Sequence, residues 1–155
     1  MSSQTATSSV PMTEQDTWKG GIVAGVAGGA LMGVMLSVLM TPVIQVAIPS
    51  MYGLAGGASG WVVHMSHSAI LGVAFAGLAG ALPRYTDTTV KSAVAGLAYG
   101  AVLWVVLAVL VMPVWLSVVG SPANPPFPNV NVMSLVGHLV YGVVLGAVYP
   151  AVDSL

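Results

Sequence analysis

Apolar residues occupy four long blocks of this chain, at roughly 18–48, 60–82, 92–120 and 132–152, separated by short stretches rich in Gly, Pro, Ser and Thr. Each block reaches the ~20 residues that an α-helix needs to cross the hydrocarbon core of a bilayer. Four transmembrane helices are therefore predicted. The first and third blocks are long enough to tilt or bend. Each also carries a proline in its final third, Pro42 and Pro113, where the missing N–H predicts a kink. Residues 1–17 (MSSQTATSSVPMTEQDT) are polar and lack the apolar core of a secretory signal. A disordered cytoplasmic tail is expected there.

The blocks repeat. With the chain shifted by 71 residues, VAGVAGGALMGVMLSVLMTPV (23–43) lies on VAGLAYGAVLWVVLAVLVMPV (94–114), and twelve of the 21 positions are identical. With a shift of 74, His64 falls on His138, Leu71-Gly72 on Leu145-Gly146 and Phe75 on Tyr149. Two spans per repeat run in the same sense, so the predicted architecture is an all-α four-helix bundle. It is made of two parallel helix hairpins, 18–82 and 92–152, joined by a cytoplasmic loop at 83–91, with a pseudo-twofold axis along the membrane normal.

Composition agrees. The 155 residues are 57% hydrophobic and 5% charged, against about a quarter charged in soluble domains. Mean hydropathy is +0.95. The length suits one bundle and no separate soluble domain. The absence of cysteine excludes disulfides, thiolate metal sites and a cysteine nucleophile. No basic cluster exists to hold nucleic acid.

The charges sort to one side. Lys19, Arg84 and Lys91 are the only basic residues, and in a four-span drawing all three share a face with Glu14, Asp16, Asp87 and Asp153. The positive-inside rule makes that face cytoplasmic, with both termini inside the cell membrane. The two outer loops, 49–59 (PSMYGLAGGAS) and 121–131 (SPANPPFPNVN), then carry no charge at all. Short turns resting in the lipid interface would explain this, and so would cover by other membrane subunits.

Small residues recur at four-residue spacing: Gly21, Gly25, Gly29 and Gly33 in the first helix, Gly96 and Gly100 in the third, Gly142 and Gly146 in the fourth. Such faces allow close helix packing within the chain or in a homo-oligomer. On the first and third helices, Gly25, Gly29, Gly96 and Gly100 could instead make room for a flat cofactor. The nine Met residues, with Met65 and Met133 flanking the histidines, suit adaptable packing better than copper binding.

The three histidines are the candidate chemistry, because ionisable groups inside a span are costly. His64 and His138 are predicted at equal depth in the outer half. His67 lies one turn from His64, and its repeat equivalent is Tyr141. One reading bonds each imidazole to a backbone carbonyl freed near Pro42 or Pro113. A second makes His64 and His138 the metal ligands of a b-type haem. A third is a quinone or proton site with His67 and Tyr141 as polar handles. No carboxylate lies within a span, so neither an acid–base pair nor a triad is available, and no catalytic activity of the chain's own is expected.

The layout resembles the membrane cytochromes b, in which histidines on alternate helices hold haem and glycines on the intervening helices make room. Those proteins carry two histidines per ligating helix and basic partners for the propionates; this chain has no outer-side Lys or Arg. Separately, GHLVYGVVLGAVYPAV (137–152) with AVLWVVLAVLVMP (101–113) resembles small uncharacterised multi-pass membrane proteins of haloarchaea that are often labelled histidine kinase. That resemblance implies a multi-pass membrane protein. No nucleotide-binding loop or soluble catalytic domain supports the kinase label.

The expectation is a small integral-membrane subunit of a larger complex serving respiratory electron transfer, with haem b between the second and fourth helices as its candidate cofactor. Partners would dock on loops 49–59 and 121–131. The rival readings are a channel or transporter for a neutral solute and a self-associating structural membrane protein.

Overall fold

A computed structural model describes residues 17–155, so all but Thr17 of the expected tail lies outside the described residues. The described chain is helical and contains four helices long and apolar enough to cross a membrane. They are α1 (Thr17–Leu39), α2 (Gly57–Ala81), α3 (Thr89–Val118) and α4 (Val132–Val152). At 1.5 Å per residue, the shortest of these still spans about 30 Å, the thickness of the hydrocarbon core.

Helix starts follow local chemistry. Asn131 caps α4, its Oδ1 accepting from Ser134 N at 2.9 Å, and the Thr88 hydroxyl accepts from Lys91 N at 3.3 Å at the start of α3. Such caps satisfy N–H groups that have no partner in the first turn. The connector between α2 and α3 carries Arg84 and Asp87, and Asp87 pairs with Lys91 in the exposed first turn of α3 at 2.8 Å.

The first apolar block is longer than the helix it forms. α1 ends at Leu39, Met40 breaks the helix, and residues 43–50 continue as a π-helical turn, Val43–Ala47, and a short α-turn, Ile48–Ser50. Pro42 sits at the break, as a residue without an N–H should. The segment 43–50 packs over the first turns of α2. The Ile44 carbonyl occupies the space a Cβ would take at Gly60.

At Pro113 the outcome differs. α3 stays continuous but widens to a π-helix over Trp104–Val111. Asn129 closes the resulting gap: its backbone N donates to Val109 O at 3.1 Å, the carbonyl that Pro113 leaves free. Its Nδ2 donates to Ala108 O at 3.4 Å. Pro49 likewise frees Gln45 O, which accepts from Gly56 N at 3.0 Å. The carbonyls freed by Pro113 and Pro49 are thus served by loop residues.

Glycines set the helix spacing. Gly25 abuts Ser68 O and Gly72, and Gly21 abuts Gly72 O, joining α1 to α2. Gly96 meets Gly142 O, Gly100 meets His138 O, and Gly146 meets Ser92 O, joining α3 to α4. A second glycine face on α1 lies on α4: Gly20 touches Val152 and Gly28 touches Tyr141 O. α1 and α4 therefore form the seam between the hairpins, while α2 and α3 barely meet. Their main bridge is the Tyr99 hydroxyl, which donates to Leu71 O at 2.8 Å beside the Phe75 ring.

Candidate functional site

The gap between α2 and α3 widens into a cavity of about 410 Å³. All four helices contribute walls: Met32 and Leu36 from α1, His64 and Ser68 from α2, Leu107 and Ala108 from α3, His138 and Tyr141 from α4. Residues 43–51 close it on one side through Val43, Ala47, Ile48 and Met51. The loop after α3 adds Pro125 and Asn129. Both π-helical segments border it, and such wide turns gather at functional sites.

His64 and His138 both line this space. They are not held alike. His64 Nε2–H donates across to Gly29 O on α1 at 2.9 Å, and the Trp61 ring stands edge-on to the imidazole at 6.3 Å. His138 Nδ1–H donates to Ser134 O of its own helix at 2.7 Å. Neither imidazole reaches a carbonyl freed near Pro42 or Pro113: His64 bonds Gly29 O and His138 bonds Ser134 O, and the Val109 carbonyl freed by Pro113 accepts from Asn129 N instead.

The next residues along α2 lock His64 in place. Ser68 Oγ donates to His64 O at 2.8 Å, and the Tyr141 hydroxyl crosses from α4 to donate to Ser68 O at 2.8 Å. Tyr141, expected as a polar handle, therefore ties the hairpins together with its hydroxyl already committed. His67 also lines the cavity. Its Nε2 shares a 2.7 Å hydrogen bond with the Tyr52 hydroxyl, and Tyr52 stacks edge-on against Trp115 at 5.6 Å.

The four glycines expected to flank a cofactor lie elsewhere. A Cβ at Gly25, Gly29, Gly96 or Gly100 would strike Ser68 O, the Ser68 side chain, Gly142 O or His138 O respectively. They are contact points between helices, and no open space lies above them. The glycine faces of α1 and α3 are likewise used inside the chain, which removes them from the surface available to a second copy.

Tyr52, Asn129, the Ser68 bond to His64 and the turn of residues 43–51 add to the candidates that the sequence singles out. Ser68 carried a signal: it lies four residues after His64, on the same helical face. Asn129 sits in a proline-rich loop whose packing on α3 leaves no local trace.

The two uncharged loops hold each other. Ser50 Oγ and Ser121 Oγ are 2.7 Å apart, and Trp115 Nε1 donates to Met51 O at 3.1 Å. Around them, Val118, Phe127, Val130 and Val132 are exposed.

Four apolar helices around an internal cavity with paired imidazoles define a multi-span α-helical membrane protein. The chain belongs to DUF6789, a family of unknown function, whose profile matches residues 16–154. No curated protein and no solved structure matches it.

Proposed function

We propose that this chain is a small integral-membrane subunit of a larger membrane assembly serving respiratory electron transfer, and that its working part is the cavity between its hairpins. The carrying observation is that His64 and His138, from different hairpins, line one space in a bundle otherwise walled by apolar groups. The hairpins are read as parallel repeats about an axis along the membrane normal. Matching contacts support this: Gly25 on Gly72 corresponds to Gly96 on Gly146 and Gly142, under the same shifts of 71 and 74 that align the sequence. The basic residues Lys19, Arg84 and Lys91 support a cell-membrane protein whose connector end and both termini face the cytoplasm. The paired loops then face outward. Their exposed apolar rim, Phe127, Val130 and Val132, offers partner subunits a surface that water disfavours.

Haem b ligated by His64 and His138 is the second reading, and the residues fit it only in part. His138 suits it: a carbonyl holds Nδ1–H and leaves Nε2 bare, as in ligating histidines. His64 does not, because its Nε2 is committed to Gly29 O, and no glycine-lined space flanks the pair. A channel for a neutral solute is the rival class. The cavity's apolar walls, without a file of polar groups, argue against it.

The test is extraction of a tagged chain from its own membranes in mild detergent. Other subunits are expected to remain with it through size-exclusion chromatography. A pure homo-oligomer would overturn the assembly reading. The same sample settles haem: a Soret band lost in both His64→Ala and His138→Ala would establish the second reading, and a spectrum without that band excludes it.

A further inference from the structure

The hydrogen-bond inventory of the cavity is lopsided. Its central donors are already given to carbonyls: His64 Nε2–H to Gly29 O, His138 Nδ1–H to Ser134 O, Tyr141 O–H to Ser68 O and Ser68 O–H to His64 O. A neutral imidazole has one N–H, so the other ring nitrogen of each histidine carries a bare lone pair. His64 Nδ1 and His138 Nε2 are those atoms.

Neither atom is sealed. Among the described residues, the buried side-chain N and O atoms without a partner are Ser92 Oγ and Trp104 Nε1. The two free ring nitrogens therefore border open space, and both histidines line the cavity. For His64 the direction is also fixed. Its Nε2 faces Gly29 O, and its Cδ2 lies 3.2 Å from where a Cβ on Gly33 would stand, so the Nδ1 edge turns away from α1.

The walls hold no Asp, Glu, Lys or Arg. The cavity also reaches the lipid-facing flank. Ile70 on α2, 65% exposed, and Val111 on α3, 41% exposed, both form part of its wall at the side where α2 and α3 barely meet.

We infer that the cavity binds a neutral, lipid-soluble hydroxyl donor of the hydroquinone class, which enters from the bilayer between α2 and α3. The inference rests on the cavity being the working part of the protein, as proposed above. A hydroquinone ring offers two O–H groups, its apolar body matches the Met, Leu and Ile walls, and its tail can trail through the lateral gap. The oxidised quinone has only carbonyl acceptors and sets oxygen lone pairs against nitrogen lone pairs. Asn131 and Ser134, toward the loop end, supply secondary polar contacts. At the two histidines the site thus favours the reduced form of the pair.

Equilibrium binding of menadiol and menadione to the full chain in nanodiscs, under anaerobic conditions with empty nanodiscs as blank, tests this directly. Menadiol is expected to bind about tenfold more tightly than menadione, the value of one good hydrogen bond kept or lost. His138→Phe, which removes a lone pair whose N–H partner lies in its own helix, should bring menadiol down to the level of menadione. His64→Leu should act in the same direction, with circular dichroism confirming the fold. Ile70→Trp should slow association of both forms by narrowing the lateral gap. Equal binding of the two forms, or menadiol binding unchanged in His138→Phe, overturns the inference. Binding without co-purifying subunits would leave the site standing and remove the assembly reading; subunits without binding would do the reverse.

Discussion

At the scale of single residues, the close contacts belong to glycine. A Cβ at Gly142 would press on Gly96 O and on Gly96 C at 2.9 Å, both backbone atoms that cannot swing aside. Gly142→Ala is therefore expected to cost about 1–3 kcal/mol through overpacking, read as a lower thermal unfolding midpoint in detergent. Gly77 meets nothing within 4 Å. Gly77→Ala should hold or raise the midpoint, since alanine is favoured over glycine in a helix by about 1 kcal/mol. Ser92 makes a second contrast: fully buried with its hydroxyl unpartnered, it should tolerate Ser92→Ala without loss of stability, because no bond is broken. The four-residue spacing made the glycine faces legible in the sequence. Which partner each face meets was not, because Gly28 and Gly29 are neighbours in the chain yet touch α4 and α2 respectively.

At the scale of elements, hydropathy alone located all four spanning helices, three of them to within about three residues of their observed ends. The first apolar block runs to 48, whereas its helix stops at Leu39. Hydropathy reports the burial a residue prefers and is blind to whether an apolar helix keeps its axis or lies across its neighbour. Both π-helical turns escaped for a related reason, since they depend on acceptors freed by Pro49 and Pro113 finding donors in distant loops. Asn129→Ala removes the side-chain donor to Ala108 O and is expected to cost about 1 kcal/mol in thermal or denaturant stability. The 43–50 segment offers a sharper check. Gly60→Val drives a side chain into the Ile44 carbonyl and should lift the segment away from α2. The chain has no cysteine, so a Met51→Cys reporter can be labelled alone. Its reaction with a maleimide should accelerate when Gly60→Val is added; an unchanged rate would mean that the segment is not held there.

At the scale of the whole molecule, charge and cavity occupy different regions. The connector with Arg84, Asp87 and Lys91 lies at one end of the bundle, and the histidine-lined space lies toward the paired uncharged loops. Orientation is testable in intact cells: an impermeant maleimide should label Ala123→Cys from outside and leave Asp87→Cys unlabelled until the membrane is opened. The histidines were legible as the candidate chemistry because few polar groups enter the spans. Their shared cavity was not, because it arises where α2 and α3 fail to pack, a property no single segment carries. The most direct test of the central claim is native mass spectrometry of the chain released gently from its own membranes. The account predicts the chain in complex with other subunits and carrying a neutral lipid-soluble molecule that is lost in His138→Phe. A bare chain or homo-oligomer with no bound small molecule would contradict it.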